Sequence, residues 1–404
     1  MADNKDKKVL NVPALRFPEF TEEWMIQTIN DLATVIGGGT PDTTIKSYWD
    51  GNIQWFTPSE IGKSKYVNLS SRTITEEGLN NSSAKLLPSY TILLSSRATV
   101  GECSITLQEC ATNQGFQSLI AKNCDIDFLY YLIQTKKKDL IRKACGSTFL
   151  EISATEVRKI RTKVPSNAEQ KKIGALLSLV DKRIEVQNKI IEKYESLIQA
   201  MCDTLIEREA QQATLSFGDF GQSYSGLSGK SAEDFGDGYP FITYMNVYKN
   251  QIIDSTDIGL VKINETEQQS VVRYGDILFT LSSETPEEVG MGAVYLGGAY
   301  PLYLNSFCFG IHITDETKIY PPFLAHYVSS QSFRKAVYPL AQGSTRFNLQ
   351  KNDFMKKKFS FPVIEKQCKI YSILNTYSDK LIVEKQIMRL LCNQKCYLLR
   401  QLFI

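Results

Sequence analysis

The glycine-rich stretches are the first places where residue type and spacing could support chemistry. Gly226-Leu-Ser-Gly-Lys-Ser231 contains the end of a phosphate-binding loop. That motif also needs a glycine five residues before the glycine of its Gly-Lys pair, and Tyr224 stands there. Gly37-Gly-Gly39 lacks the spacing of a dinucleotide fingerprint. Neither stretch is therefore predicted to bind a nucleotide.

Side chains that could form a nucleophilic or metal centre are also poorly placed. His312 and His326 are the only histidines, and neither belongs to a recognisable nucleophile motif. The nine cysteines include one close pair, Cys392 and Cys396, without a second pair to complete a tetrahedral site. The Asn-Pro-Pro-aromatic and Asp-Pro-Pro-aromatic motifs of amino-methyltransferases are missing. We predict no metal site and a chain that is not an enzyme by itself, although the sequence leaves carboxylate pairs open.

Basic side chains offer a different chemistry, the binding of phosphate. The formal net charge is only +2, but Lys136-Lys-Lys138, Arg142 and Lys143 are followed by the basic run from Arg158 to Lys163. A small net charge can hide a basic face that acidic residues elsewhere offset. These runs are either phosphate clamps or a docking surface for a partner, and we favour phosphate contact for Lys136 to Lys138.

Two long helices must position whatever the chain binds. From Ala168 to Glu209, apolar residues recur in alternating steps of four and three, a period of 3.5 that predicts a coiled-coil seam. About 42 residues form a rod on the order of 60 Å long. The same slots recur 197 residues later in the chain. The predicted seam consists of Ile173, Leu177, Val180, Ile184, Gln187, Ile191, Ile198 and Leu205, and of Ile370, Leu374, Leu381, Glu384, Leu391 and Leu398.

Polar residues interrupt this seam at matching places. Gln187 and Glu384 share one slot, and Lys395 is a second polar exception. If the helices pair symmetrically and antiparallel, Gln187 and Glu384 face each other near the middle of the rods. A single polar layer in an apolar seam can fix register, and we hypothesise that role for them.

The duplication extends upstream of the helices. Gly146-Ser-Thr148 matches Gly343-Ser-Thr345, and Gln170 matches Gln367, all at one ungapped offset. Before each helix, short β-branched and aromatic runs predict strands, and Asp127–Ala144 and Pro322–Tyr338 predict corresponding helices. We therefore divide the chain at 1–165, 166–210, 211–362 and 363–404. No run of 18 apolar residues and no signal peptide is present, so a cytoplasmic protein is expected.

Several ordered motifs carry a resemblance to a known family. They include Leu15-Arg-Phe-Pro-Glu-Phe20 with Trp24, Gly38-Gly-Thr-Pro41, Trp55-Phe-Thr-Pro58, Ser96-Arg-Ala-Thr-Val-Gly101, and Pro165 followed by Glu169-Gln170. Through them the chain resembles the specificity subunit of type I DNA restriction–modification systems. The second half resembles it through Gly343-Ser-Thr345, Leu349, Pro362, Gln367 and Ile370. It departs at Cys368, Lys369 and Ser378, where Ser378 stands in the slot of Asp181.

The resemblance implies a fold class and a role. The fold is α+β: two tandem α/β target-recognition domains joined by two long antiparallel coiled-coil helices, with an internal pseudo-two-fold repeat. Such a subunit binds double-stranded DNA at a bipartite site, and its helices set the half-site spacing and dock two methyltransferase (modification) subunits. Two restriction (translocase/nuclease) subunits complete the assembly. S-adenosylmethionine, ATP and Mg²⁺ are expected in those partner subunits and none is expected in this chain.

Candidate DNA contacts come from loops and basic residues. Arg97 suits a phosphate or a guanine edge, with a salt bridge as the alternative. Lys63 and Lys65 suit phosphate or plain solvation, and Asn113 and Gln114 suit an adenine edge or a turn. The full predicted set is Thr40, Thr57, Lys63, Lys65, Arg97, Asn113, Gln114, Lys136, Lys137, Thr148, Ser228, Lys230, Tyr244, Asn246, Lys249, Ser282, Asn305, Ser344 and Arg346.

Two other functions compete with DNA recognition. A purely structural protein would use the helices for assembly and the globules for protein binding, and it would show no salt-sensitive affinity for DNA, whereas a DNA reader loses affinity steeply as salt rises. A fused enzyme would carry its own methyltransferase, and the missing catalytic motif argues against this.

Overall fold

The structure is a computed structural model that describes residues 11–146, 150–209, 213–298 and 300–404. The chain forms two compact units. Unit 1 comprises Met1–Asn188 with Gln386–Ile404, and unit 2 comprises Lys189–Lys385. Each long helix therefore contributes one half to each unit. Across the described ranges, no helix has the length and apolarity needed to cross a membrane.

Unit 1 contains ten strands and five short helices among its described residues. The strands are β1 Met25–Thr28, β2 Ala33–Gly37, β3 Trp49–Phe56, β4 Tyr66–Val67, β5 Arg72–Ile74, β6 Ile92–Leu94, β7 Cys103–Thr106, β8 Cys110–Thr112, β9 Gln117–Ala121 and β10 Arg161–Val164. The helices are α1 Ile29–Leu32, α2 Glu76–Asn80, α3 Ile126–Thr135, α4 Lys137–Lys143 and α5 Ala154–Arg158, with 3₁₀ turns at Lys46–Tyr48 and Pro58–Glu60.

The core of unit 1 lies between a five-stranded sheet and helix α3. The sheet has the order β2-β9-β6-β7-β4, and a smaller sheet has the order β5-β3-β8. Strand β6 is buried on both faces, as its unbroken apolar sequence requires. Phe128, Tyr131 and Leu132 of α3 are buried in the same cluster as Ile92 and Leu94. Burial of these large side chains supplies the main driving force for folding of this unit.

Unit 2 repeats this organisation. Its strands are β11 Ala213–Ser216, β12 Gly221–Ser225, β13 Phe235–Ile242, β14 Ile258–Val261, β15 Ile277–Thr280, β16 Ser282–Ser283, β17 Gly292–Val294, β18 Tyr303–Leu304, β19 Cys308–Ile313, β20 Ala341–Gln342, β21 Phe347–Leu349 and β22 Lys358–Phe361. Its short helices are α7 Tyr244–Lys249, α8 Pro321–Tyr327, α9 Gln331–Val337 and α10 Lys351–Lys356, with 3₁₀ turns at Phe217–Asp219, Ala232–Asp234, Pro286–Glu288 and Tyr338–Leu340.

The two units share pairing as well as element order. Met25 of β1 pairs with Val164 of β10, and Ala213 of β11 pairs with Phe361 of β22 in the same antiparallel register. β3 lies between an antiparallel and a parallel neighbour, as β13 does, and each carries a register shift in its first half. A one-residue slip in register would turn every side chain of a strand to the other face of its sheet. The shared register therefore means that equivalent strand positions face the core in both units.

Two long helices, α6 Asn167–Glu209 and α11 Ile364–Gln401, begin 197 residues apart. Within unit 2, Glu195 of α6 pairs with Lys385, and Glu209 pairs with Lys366. As the residue number increases along α6, the number of its partner residue in α11 decreases, so the two helices run antiparallel within unit 2. In unit 1, Ile173 near the start of α6 shares a core cluster with Leu398 near the end of α11, which is the same antiparallel order.

The predicted seam residues lie on the inward face of these helices. Ile173, Leu177, Ile370 and Leu374 are almost completely buried. All the others are buried or half-buried, and none is exposed. Leu179 and Leu390, which fall outside the 3.5-residue pattern, are 66% exposed. The period therefore separates buried from exposed leucines.

Three local predictions were wrong. The run of aromatic and β-branched residues from Phe241 to Met245 predicts a strand, but the strand ends at Ile242. The Thr243 side chain accepts a hydrogen bond from the backbone of Asn246 and caps helix α7. The predicted helix Asp127–Ala144 is two helices that meet at Lys136. The predicted helix Pro322–Tyr338 is likewise broken, because Ser330 caps a new helix, α9.

Candidate nucleic-acid interface

A close approach between two loops forms the base of the interface in unit 1. A Cβ on Gly38 would lie 2.0 Å from the Asn113 carbonyl oxygen, so only glycine fits there. The Gly39 amide donates to the Thr112 carbonyl at 2.8 Å. These contacts place Thr40 beside Gln114, and the Thr40 hydroxyl donates to the Gln114 side-chain oxygen. Two predicted residues that are far apart in sequence are thereby brought together.

Unit 2 has the same close approach. A Cβ on Gly226 would lie 2.0 Å from the Asn305 carbonyl oxygen. Asn113 and Asn305 also share a local role, because the Oδ1 of each accepts a hydrogen bond from the backbone amide two residues ahead, at 2.8 and 2.9 Å. Both asparagines thus have a turn role, which for Asn113 is the alternative to base contact that the sequence left open.

Arg97 lies at the edge of the same surface in unit 1. Its Nε and Nη2 donate to Glu151 Oε2 at 3.0 and 2.6 Å, while its side chain stays 45% exposed. Ala98, which follows it, has a φ of +61°, a conformation that few non-glycine residues adopt. The salt-bridge alternative for Arg97 is therefore realised in this structure. Thr57 is also engaged, because its hydroxyl donates to Glu60 at 2.7 Å.

Lys65, for which the sequence left phosphate contact and plain solvation open, is engaged inside the protein. Its side chain is only 7% exposed, and its Nζ lies 2.6 Å from Asp127 Oδ1 and 2.6 Å from Ser178 Oγ. The Tyr131 ring lies 4.7 Å away. A phosphate would have to displace this buried ion pair, at high cost in free energy. Lys63 is exposed, and its contact with phosphate stays a prediction.

The basic residues of α4 line a groove in unit 1. The cavity has a volume of about 650 Å³ and is lined by Lys136 to Lys138 from one side and by residues of α11, including Cys396 and Arg400, from the other. Lys136 donates to the Ile404 carbonyl at 3.2 Å, and burial lowers the pKa of its ammonium group. Lys137 pairs with Glu102. Both lysines thus have partners within the protein.

In unit 2, three predicted residues converge on one cavity. Tyr244, Ser282 and Arg346 line a space of about 410 Å³. Tyr244 donates to the Ser282 carbonyl at 2.6 Å, which ties α7 to β16. Arg346 is exposed on the loop between β20 and β21, next to Ser344. Lys249, at the end of α7, is exposed as well.

Two predicted residues of unit 2 form their contacts inside the protein. Asn246 is completely buried, and its Nδ2 donates to the carbonyls of Asp254 and Asp257. Lys230 is 4% exposed and lies 2.5 Å from Glu267 Oε2. Neither can reach DNA without losing these bonds. Ser228 is exposed, but its backbone is held by Gln269 at 3.2 and 2.9 Å. Thr148 lies outside the described residues.

Sequence reasoning missed several lining residues of the unit 2 cavity. They are Met245, Tyr248, Ser283, Glu284, Glu288 and Phe307. Phe307 and Met245 are large apolar residues that are 57% and 42% exposed, which is unusual for such side chains. One signal in the sequence could have indicated this cavity. Phe307 is an aromatic residue directly after the loop residues Asn305 and Ser306, and binding residues often lie on loops.

Within the described ranges, no three or more His, Cys, Asp or Glu side chains are grouped to hold a metal ion. All nine cysteines are free, and burial raises the pKa of Cys103 and of Cys308 to about 12. Such thiols stay protonated and are poor nucleophiles at neutral pH.

Comparison with known families adds the decisive observation. The model of the type I restriction modification DNA specificity domain matches the chain twice, at residues 21–196 and 214–391. The chain belongs to this family. Each match covers one recognition fold together with a large part of one long helix, so the structural repeat and the family's repeat are the same unit.

Individual relatives match one half of the chain. The specificity subunit of type I restriction enzyme MjaIX from Methanocaldococcus jannaschii is 39% identical over 180 residues, which is 43% of this chain and 42% of that protein. The EcoR124I/EcoR124II specificity subunit from Escherichia coli is 28% identical over 203 residues, which is 46% of this chain and 50% of that protein. The chain thus spans half or less of the length of these relatives.

Solved structures share the fold over nearly the whole chain. The S subunit of a type I restriction–modification system from M. genitalium covers 97% of this chain with a TM-score of 0.55 and 18% identity. A structure from work on complex assembly and conformational transition of the type I R-M system covers 94% of this chain with a TM-score of 0.61 and 14% identity. The specificity-subunit fold is therefore common to proteins with little sequence in common.

Proposed function

We propose that this chain is the DNA sequence-recognition subunit of a type I restriction–modification complex. The observation that carries this proposal is the repeated loop geometry. Both units press a glycine loop onto an asparagine turn, at Gly38 against Asn113 and at Gly226 against Asn305. Two copies of one recognition surface in a single chain suit a target that has two half-sites.

The long helices suit the task of setting the half-site distance. Helix α6 has 43 residues and is therefore about 65 Å long. Half-sites on one face of B-form DNA are about 34 Å apart, or a multiple of that distance. A paired helix is stiff, whereas a flexible linker would allow many spacings. A fixed gap between two short recognition sequences follows from this stiffness.

Partners supply the chemistry in this proposal. Two methyltransferase subunits dock on the long helices and bind S-adenosylmethionine, and two restriction subunits bind ATP and Mg²⁺. The exposed faces of α6 and α11 leave room for such docking, since Leu179, Val186, Ile382 and Leu390 are all about half exposed or more. This chain itself contributes recognition and positioning, and it works in the cytoplasm, where the DNA is.

Genome-wide mapping of N6-methyladenine tests the proposal. The full chain is expressed with its methyltransferase subunits in cells that lack other adenine methylation, and single-molecule sequencing maps the modified sites. We expect one split motif, with two short half-sites, a fixed gap and one methylated adenine on each strand. Cells expressing the methyltransferase subunits without this chain are the control, and they should show no motif.

Salt dependence of binding separates this function from a purely structural role. A complex that reads DNA should lose affinity for its target by roughly three to five orders of magnitude between 50 and 200 mM salt. The affinity falls because each phosphate contact releases counterions from the DNA, and added salt opposes that release. A stable complex that methylates nothing and binds DNA without salt dependence would favour an assembly protein. A single continuous motif would show that only one unit reads DNA.

A further inference from the structure

The cavity of unit 2 has aromatic walls whose polar groups are already engaged. Tyr244 and Tyr248 lie one helical turn apart on α7, with ring centroids 5.9 Å apart and planes 16° apart. The Tyr244 hydroxyl donates to the Ser282 carbonyl, and the Tyr248 hydroxyl donates to Glu288 at 2.7 Å. Hydrogen bonding to this carboxylate raises the pKa of Tyr248. These rings are therefore fixed in place and present surfaces rather than donors.

Two charged side chains of the cavity have no partner among the residues that the structure describes. They are Arg346 and Glu284, which both line the space and are both exposed. Neither forms a hydrogen bond or an ion pair with another described residue. Other arginines near the predicted interface are engaged, as Arg97 is with Glu151. The free pair in this cavity therefore calls for a ligand that satisfies both charges.

The charges of the cavity select a base edge over a phosphate. Glu284 and Glu288 outnumber the single Arg346 there, and two carboxylates repel a phosphate group. A carboxylate accepts hydrogen bonds and a guanidinium donates them. Together they are complementary to a base pair that presents both a donor and an acceptor in the major groove. Guanine presents O6 and N7 to a bidentate arginine, and the cytosine of the same pair presents its N4 amino group to a carboxylate.

We propose that Arg346 and Glu284 read one G·C base pair in the half-site of unit 2, with Arg346 on the guanine and Glu284 on the cytosine. The proposal rests on the proposed function. The Tyr244 bond to the Ser282 carbonyl holds α7 against β16, and β16 pairs with β21. Glu284 directly follows β16 and Arg346 directly precedes β21, so both side chains start from one fixed edge that would face the major groove.

The two units would read their half-sites with different side chains. The β-bridge between Ser282 and Asn348 in unit 2 corresponds to the bridge between Arg97 and Glu151 in unit 1. In unit 1 an arginine and a glutamate stand at the bridge itself and pair with each other. In unit 2 the bridge residues Ser282 and Asn348 are uncharged. The arginine and the glutamate of unit 2, Arg346 and Glu284, each lie two residues away from the bridge. A repeated scaffold thus carries unequal reading residues.

Motif mapping with single-residue variants tests the assignment. The full chain is expressed with its methyltransferase subunits as wild type, Arg346→Gln, Arg346→Lys and Glu284→Gln. Arg273→Gln and Glu316→Gln are matched controls, because both residues are exposed in unit 2 and lie outside the cavity. We expect Arg346→Gln to relax one G·C position of one half-site, and Glu284→Gln to relax that same position. The other half-site and the gap should stay unchanged, as should the motifs of both controls.

Competition binding with the purified complex measures how strongly each variant prefers the G·C site. It also tests variants that no longer methylate DNA. Wild type should prefer the G·C site over a single-base variant by about tenfold or more. Arg346→Gln should remove that preference, and Arg346→Lys should weaken it, because lysine lacks the bidentate fork. Unchanged motifs and preferences in the cavity variants, or half-sites without any G·C pair, would overturn the assignment while leaving the split motif intact. A wild type that yields no split motif would overturn the proposed function as well.

Discussion

At the scale of single residues, burial of a titratable group makes part of unit 2 sensitive to acid. His326 is 2% exposed, and neither ring nitrogen has a hydrogen-bond partner among the described residues. Burial lowers the pKa of His326 to about 4, against about 6.5 in an unfolded chain. Between these values the unfolded state binds a proton that the folded state does not, so acid favours unfolding.

His326→Leu should therefore flatten the pH dependence of stability. Above pH 6.5 the imidazole is neutral in both states and contributes no slope. As the pH falls from 6.5 towards 4, wild type should lose about 1.4 kcal/mol per pH unit through this one residue. Urea unfolding followed by circular dichroism at pH 7.5, 6.0 and 5.0 measures the effect. The carboxylates titrate in both proteins, so parallel pH profiles for wild type and variant would refute the prediction.

At the scale of elements, the polar exception in the α11 seam has a partner. Lys395 Nζ lies 2.7 Å from Asp181 Oδ1 on α6, and both side chains are less than a quarter exposed. Tyr131 of α3 donates to the other oxygen of Asp181 at 2.6 Å. This network joins three helices of unit 1. The corresponding residue to Asp181 in the second helix is Ser378, so unit 2 has no equivalent carboxylate at that slot.

A double-mutant cycle should find strong coupling between Asp181 and Lys395. Asp181→Asn, Lys395→Met and the double variant are compared by urea unfolding, with an expected coupling free energy of about 1–3 kcal/mol. The exposed pair of Glu195 and Lys385 joins the same two helices and serves as the control. It should show less than about 1 kcal/mol, because solvent screens exposed pairs. Equal coupling for both pairs would show that burial does not strengthen the first one.

At the scale of the whole molecule, distant parts of the chain complete a single core in unit 1. Phe403 is 7% exposed, stacks on Phe128 with ring centroids 5.2 Å apart, and meets Trp24 edge-on at 6.5 Å. The Leu15 amide donates to the Gln401 carbonyl at 2.9 Å. Unit 1 therefore cannot form its full core until α11 has been made.

Phe403→Ala should destabilise unit 1 by about 3–5 kcal/mol, since it removes a buried aromatic ring. The three tryptophans, Trp24, Trp49 and Trp55, all lie in unit 1, so tryptophan fluorescence during urea unfolding reports on this unit. Tyr397→Ala is the control, because that ring is 57% exposed on α11, six residues before Phe403, and its removal should cost little. A Phe403→Ala transition at the wild-type urea concentration would show that the Phe403 ring is dispensable for the core.

The polar layer of Gln187 and Glu384 stays a prediction. Gln187 is 7% exposed and Glu384 is half-buried, which is the burial expected of seam residues. Replacement of both by leucine should stabilise the helices while loosening their register. The gap of the methylated motif is the measurement, and a gap that stays unique in the double variant would contradict the register role.

The sequence by itself determined the repeat, the two long helices and their buried face. These features depend on periodicity and on an ungapped offset, which are local properties that every turn of helix repeats. The family resemblance came from short motifs for a related reason. Gly38 and Gln170 make close backbone contacts that no other residue type makes equally well. The Gln170 side chain donates to the Pro165 carbonyl and accepts from the Asp125 amide. Gln367 makes the same two bonds with Pro362 and Tyr320 in unit 2.

Only the tertiary structure decided which candidate side chains are exposed and which have partners inside the protein. Lys65, Lys230 and Arg346 are all basic residues beside loops, yet the first two are buried against Asp127 and Glu267, and the third is exposed in a cavity. The partner of each lysine lies far away along the chain and is brought near by folding. Spacing along the sequence carries no record of such a pairing, because it depends on which strands and helices meet in space.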